Sequence, residues 1–290
     1  MSEKAEKIDD FTSLEYSTQG GPELGLGVHE VETRLHVDLA TRVAFLNRHQ
    51  PTSTEGGEPI GTFQATLAPD LVSRLREALA HANLGKIPPG TGGGPGTSLI
   101  QIRAKRGDLN YAASFSSRDM ETLDKLDKLL ALLDDTVAFV AGRPFQAIRI
   151  ELQAATGHPV VFTIKVKNVG TETVAIPDLA LLGRESKDVR DHGIGVRVAA
   201  NPPERPGYTA PPLVWSRVEV ASTPPTQGKP ILLPPGGEQT LHTVGWAAKG
   251  PAGPFLAQAF FSYYAGPPIV DEHLVMRGHA LSTGLDLVLK

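Results

Sequence analysis

At 290 residues the chain is long enough for two cores of roughly 100 to 150 residues each, and 40 % hydrophobic with 21 % charged residues is a globular composition, not a disordered one. The net charge of −4 divides into 15 basic and 20 acidic residues over positions 1–145 and 13 basic and 12 acidic over 146–290. Neither half builds a basic face able to draw a phosphate backbone, so nucleic acid is not an expected partner, and the absence of cysteine excludes disulfides, thiolate zinc sites and cysteine nucleophiles.

Residues 1–10 are charge-rich and read as a disordered tail. They hold no apolar stretch of the signal-peptide kind, and no run of about 18 apolar residues occurs anywhere, so the expectation is a cytoplasmic protein without a membrane partner. Export without a leader would leave no mark in the text. From Phe11 the pattern is of strand type: FTSLEYSTQGG, then VHEVETRLHVDLA with Val31, Leu35, Val37 and Leu39 on one side, then RVAFLNRHQ and GTFQATL. The intervening PTSTEGGEPI has turn chemistry and is expected to be a mobile hairpin loop.

Pro69 and Asp70 open a predicted helix. Pro carries a φ suited to a first turn, and Asp meets the positive end of the helix dipole. Leu71, Val72, Leu75, Ala78, Leu79 and Ala82 supply one apolar face, and Asn83 and Gly85 the stop. Lys86–Thr97, with five glycines and three prolines, reads as a long exposed loop. Two strands follow, SLIQIRAK and LNYAASFSS, joined at Arg106-Gly107-Asp108. Ser117 is the expected cap of a second helix, whose apolar series is Met120, Leu123, Leu126, Leu130, Leu133, Val137 and Val140. Gly142 and Pro144 close it.

Helical periodicity ends at Phe145. Ten short strand candidates then appear, separated by Gly or Pro, as an antiparallel sandwich requires. The clearest is VVFTIKVKNVG: Val160, Phe162, Ile164 and Val166 alternate with Val161, Thr163, Lys165 and Lys167, and Asn168-Val169-Gly170 supplies the turn. Asn201–Pro212 is too rich in proline for a sheet interior. The predicted fold class is therefore two-domain: an α+β domain over 11–145, an antiparallel sheet with two helices on one face, followed by an all-β sandwich over 146–290.

The runs Ile148–Gly170, Leu232–Glu238 (LLPPGGE) and Pro254–Phe260 (PFLAQAF) resemble a bacterial immunoglobulin-like domain, with its K-N-hydrophobic-G strand end, its L-P-P-G turn and its late G-x-Y-x-V/A-x-A strand. Phe255 stands where that family usually has Tyr. Intracellular proteinase inhibitors of Bacillus type share this layout. Residues 11–140 are similar in order and spacing to the emfourin-like family of small metalloprotease inhibitors, with Ser17, Gly20 and Gly21 after the first strand. The resemblances imply a fold and protein binding, and they transfer no site residue.

Chemical motifs are sparse. Nine histidines are present, but neither HExxH nor a His pair at i, i+4 occurs. His36 and Asp38 share a strand face, Asp271, Glu272 and His273 adjoin, and Asp188, Arg190, Asp191 and His192 form a polar knot; each reads first as solvated surface. No Gly-x-Ser-x-Gly elbow exists. Thr91–Gly96 lacks the Gly-Lys-Ser/Thr end and the following helix of a phosphate loop. The leucine series of the second helix is shorter than a coiled coil needs, and Trp215 and Trp246 read as sandwich core.

The expected function is therefore non-enzymatic: a protein-binding module that occludes a partner, first a peptidase. Expected alternatives are an immunity or antitoxin-type protein facing a toxin enzyme, an assembly subunit, and last an enzyme drawing on Asp191 and His192. No catalytic, cofactor-binding or metal residue is assigned, and a monomer or weak homo-oligomer is expected. The partner-binding candidates are the loop residues Lys86, Ile87, Glu204, Arg205 and Tyr208, on loops where proline limits the ordering entropy lost on binding.

Overall fold

The computed structural model describes residues 11–20, 32–53, 55–87, 97–155, 157–177, 192–201, 213–218, 230–247, 252–263, 269–270 and 273–289. Among these the chain is mostly antiparallel strand, with two α-helices. It divides into two compact units. The first takes its described residues from 11–48 and 62–144, the second from 49–61 and 145–289.

The first unit contains β1 (Phe11–Gly20), β2 (Glu32–Asp38), β3 (Val43–Arg48), β4 (Ile60–Thr66, entering from the second unit), α1 (Pro69–Ala82), β5 (Ser98–Arg106), β6 (Leu109–Ser116) and α2 (Met120–Ala141). Its strands lie in the order β4-β3-β2-β1-β5-β6. Alternation decides their faces: Leu14, Tyr16, Leu35, Val37 and Ile102 are buried, while Glu15, opposite both His36 and Arg103, lies on the other side.

Helix α1 begins at Pro69, buries Val72, Leu75 and Leu79, and ends on Asn83 in the left-handed region at φ 46°, ψ 44°. Arg76 ties it to the sheet by donating to the carbonyls of Phe11 (3.3 Å) and Leu39 (3.1 Å). The start of α2 differs from expectation. Asp119, not Ser117, caps it, accepting from Thr122 N at 3.2 Å and Thr122 Oγ1 at 2.8 Å. Ser117 Oγ accepts instead from Ser98 N, at 3.0 Å.

The buried stripe of α2 is rotated as well. It runs Thr122, Leu126, Leu129, Leu133, Thr136, Val140, and Met120 is 64 % exposed. Two threonines can occupy a buried stripe because their hydroxyls are satisfied locally, Thr136 Oγ1 by Leu132 O at 2.6 Å. A reading by hydrophobicity alone passes over them. Tyr16 OH donates to Asp134 Oδ1 at 3.0 Å, pinning α2 to β1; burial first, and then the nearby carboxylate, raise the phenol's pKa.

The second unit contains β7 (Pro144–Ala155), β8 (Val160–Asn168), β9 (Val174–Ile176), β10 (His192–Ala200), β11 (Ser216–Val218), β12 (Ile231–Leu233), β13 (Glu238–Trp246), β14 (Gly253–Tyr263), β15 (Ile269–Val270), β16 (His273–Leu274), β17 (Gly278–Leu281) and β18 (Leu285–Leu289). One sheet runs β13-β8-β7 and another β11-β10-β14-β17, with β18 also on β14; β9 pairs with β12 and β15 with β16. Ile150, Phe162, Ile164 and Val166 from the first sheet share one apolar core with Val196, Ala259, Phe261 and Tyr263 from the second. Trp246 joins that core, ring to ring with Phe162 (6.0 Å) and Phe255 (5.4 Å).

Asn168, at the end of β8, is fully buried and holds a corner of this core. Its Nδ2 donates to Glu172 O and Leu233 O, each at 2.8 Å, and its Oδ1 accepts from Gly170 N at 2.8 Å. Its backbone exchanges bonds with Gly236 and Gly237 of the LPPGG turn. Two turns far apart in sequence are thereby closed on one side chain. Gly170 cannot carry a Cβ there, because the atom would collide with Phe145 O.

Residues 49–61, which contain the 51–60 segment expected as a mobile hairpin loop, are instead a strap assigned to the second unit. Ile60 is fully buried in its core. The strap meets β17 through its backbone, with His279 N donating to His49 O at 2.7 Å and Gly57 N to Leu281 O at 2.8 Å. Gly56 and Gly57 take positive φ (73° and 79°), and side chains on them would strike Ser282 O and Thr283 Oγ1. The turn chemistry was read correctly; what a turn-rich segment packs against is not encoded in its own composition.

Asn168→Ala removes three buried side-chain hydrogen bonds and leaves two carbonyls and an amide without them. A loss of about 3 kcal/mol is expected in urea unfolding. Lys167→Ala on the neighbouring solvent side should stay within about 0.5 kcal/mol.

Candidate functional site

Each unit has, among its described residues, a place that combines concavity or buried charge with chemically capable side chains. In the first unit, α1 and α2 leave a groove of about 580 Å³ between them. Its floor is apolar and small, from Ala78 and Ala82 on α1 and Leu129 and Leu132 on α2. Alanines at facing positions produce the space, since no side chain fills the gap between the helix axes. The rim carries both signs, Arg74 and Glu77 on one wall and Lys128 and Asp135 on the other. The volume lies within the roughly 300 to 1,000 Å³ of typical ligand clefts, and the open, charged edges suit a chain segment.

In the second unit, the face of the β11-β10-β14-β17 sheet turned away from the core is buried as well. Arg197 is 2 % exposed and Gln258 1 %. They are cross-strand partners, and Arg197 Nε donates to Gln258 Oε1 at 3.0 Å. Gln258 Nε2 then donates to Glu55 O in the strap (2.8 Å) and to Ser282 O (3.2 Å). Ser282 Oγ accepts from Ala259 N at 2.9 Å. The guanidinium lies over the Trp215 ring at 4.2 Å, so Trp215 stacks on a cation outside the apolar core, just before β11. Burial pushes the Arg197 pKa down to about 10, which leaves it charged at neutral pH.

Such perturbed groups mark candidate functional sites, but these are committed to structure. The amide of Gln258 clasps the strap to the sheet, and Arg197 orients that amide. His279, opposite Ser262 on the same sheet, is 1 % exposed, and burial, with the Arg197 charge adding to it, lowers its pKa to about 3.

Of the partner-binding residues expected from sequence, Lys86 lies exposed in the 3₁₀ turn Leu84–Lys86, and Ile87, half-buried, donates its amide to Leu84 O at 3.2 Å. Neither lines the groove. Glu204, Arg205 and Tyr208 lie outside the described residues, as do 88–96 and most of Asn201–Pro212. Asp38, considered beside His36, accepts from Ala40 N and Thr41 N, both at 2.9 Å, and so organises the turn after β2; those bonds lower its pKa. His36 faces Glu15 at 3.7 Å. His192 opens β10, and its neighbours Asp188, Arg190 and Asp191, like Asp271 and Glu272, lie outside the described residues. Among the described residues no three His, Asp or Glu side chains gather as a metal would require.

Sequence reasoning missed the groove and the clasp. Ala78 and Ala82 were legible only as members of the first helix's apolar face, Ala131 carried no signal of its own, and Arg197 and Gln258 were legible only as polar positions in strands. No protein-family model and no curated protein matches the chain.

The burial of His279 has a defined pH signature. Its native pKa lies below the unfolded value of about 6.5, so the folded state holds the ring neutral while the unfolded state takes up a proton. This contribution is intact above about pH 6.5 and is lost as pH falls towards 3, at up to about 1.4 kcal/mol per pH unit. In chloride buffers, His279→Gln should flatten that part of the stability profile measured by urea unfolding.

Proposed function

We propose that this chain is a non-catalytic protein-binding module that occludes a partner, and that the α1–α2 groove receives a segment of that partner. The carrying observation is the groove itself: an apolar floor of Ala78, Ala82, Leu129 and Leu132 between rims bearing both charges. The occupant is a peptide segment with small apolar side chains pointing inward and acidic and basic side chains meeting Lys128 and Arg74 on one hand, Glu77 and Asp135 on the other. Alanine floors admit close approach, and burial of the segment's apolar groups supplies affinity while the rim sets its register.

A peptidase is the partner class proposed, in keeping with the resemblance of both halves to inhibitor layouts, and steric exclusion is the mechanism. The immunoglobulin-like assignment of the second unit is part of the same reading. It is supported by two antiparallel sheets over one core and by the Asn168 corner that joins the KNVG strand end to the LPPGG turn. In this reading the second unit is a scaffold, its buried polar face closed by the strap.

Filling the groove tests the site. Ala131→Trp, at an exposed lining position, should leave the unfolding midpoint within a few degrees and weaken capture of the peptidase from native lysate by about tenfold, a change of roughly 1.4 kcal/mol. Capture undiminished in the filled variant removes the groove as the site, and addition of the purified chain to the captured enzyme without loss of peptide cleavage removes the inhibitor role.

A further inference from the structure

A sheet edge with nothing beside it carries unpaired backbone donors and acceptors, and chains blunt such edges with charge, proline, a bulge or a short strand. Of the strands that end a sheet order here, β13 is broken by a bulge between Thr240 and His242, and β11 has three residues. Strand β6 (LNYAASFS) has none of these devices. It pairs with β5 over eight residues without a register shift, contains no charged residue and no proline, and has no strand on its other side among the described residues.

The ladder decides which groups of β6 are open. Ser117 N donates to Ser98 O at 2.8 Å, one step beyond the Leu99–Ser116 pair. Alternation then gives Leu109, Tyr111, Ala113 and Phe115 the hydrogen bonds to β5 and turns the N–H and C=O groups of Asn110, Ala112 and Ser114 outward. No described residue donates to or accepts from those outward groups. The 3₁₀ turn Leu84–Lys86 meets β6 on the helix-covered face, where a Cβ on Gly85 would lie 3.7 Å from the ring of Tyr111, a residue that alternation places with buried Ala113 and Phe115.

We propose that β6 pairs antiparallel with β6 of a second copy of this chain, about a two-fold axis at Ala112. The outward backbone groups select a strand as occupant, and the side chains select a like one. Centred on Ala112, the register sets Asn110 opposite Ser114 of the second copy and Ala112 opposite itself, so every outward pair is small and neutral and about six backbone hydrogen bonds form. On the helix-covered face it sets Leu109, which is 60 % exposed, opposite Phe115 of the second copy. At each end it brings exposed Asp108 of one copy opposite Ser116 of the other, just before exposed Arg118, so the meeting ends carry opposite charge. A strand of unrelated sequence meets only the backbone part of this match. An edge pairing of this length buries little surface, so the dimer is weak, with a Kd on the order of 10–100 μM. No β6 residue lines the helix groove, so self-association stands or falls independently of peptide binding there.

Sedimentation equilibrium of the full chain between about 5 and 500 μM, which brackets that Kd, tests the proposal. The weight-average mass should rise from that of one chain towards that of two. Ala112→Pro removes an outward N–H and no bond to β5, and Ala112→Lys sets like charges opposite each other across the axis; each should weaken association by about tenfold or more. Because residue 112 meets itself only in this register, a mixture of Ala112→Lys and Ala112→Asp chains should associate where neither does alone. Ala112 is exposed, and the Lys and Asp variants serve as the readout if the Pro variant fails to fold. A wild-type mass that stays at one chain throughout the range, association undiminished in Ala112→Lys, or a mixture that associates no more strongly than its components each overturns the proposal.

Discussion

A strand at the edge of a sheet presents unpaired backbone amides and carbonyls, and the second unit is shaped by how one such edge is closed. Strand β17 has β14 on one side. On the other, His49 and Gly57 of the strap take up the amide of His279 and the carbonyl of Leu281. That closure explains features which otherwise look unrelated. Two consecutive glycines with positive φ let the strap lie against Ser282 and Thr283. Gln258 turns its amide outward to the strap, and a buried arginine holds that amide from the other side. Ile60, the residue with which the strap re-enters regular structure, drops into the apolar core.

The same requirement recurs wherever an element ends. Asn168 replaces, with one carboxamide, the backbone partners that the turns around residues 169–172 and 233–237 lack. Asp119 does so for the first turn of α2 and Asn83, through a left-handed backbone, for the last turn of α1. These polar groups add little net energy when satisfied, but each is expensive to leave bare, so they fix geometry more than they add stability. Apolar burial supplies the driving force, through one core beneath the helices and another between the two sheets.

The first unit faces a different problem, that of two helices lying side by side with small residues between them. Leu129 and Leu132 seal the bottom of the interface, and alanine at 78, 82 and 131 leaves its upper part open. Helix packing normally fills such space with interdigitating side chains, at axis separations set by their size. Leaving it open exposes apolar surface between charged rims. The binding proposal rests on this property.

Much of the secondary structure was legible in the sequence because it depends on local period. Period-two alternation marked Val160–Asn168, Pro69 and Asn83 bounded the first helix, and Asn168 and Gly170 were recognised as a turn. Errors arose where a polar residue could be buried with its own partner. Thr122 and Thr136 shifted the buried face of α2, and Asp119 displaced Ser117 as its cap, because a hydroxyl bonded within its own turn or to a cap carboxylate no longer opposes burial. Composition bounded the chemistry, and alternation located the strands. Only the tertiary structure decided that residues 49–61 complete a sheet more than two hundred positions away, that Arg197 and Gln258 are buried, and that His49 and His279 adjoin. Those facts depend on which segments share an edge, and edge pairing is made by backbone groups that are the same in every residue.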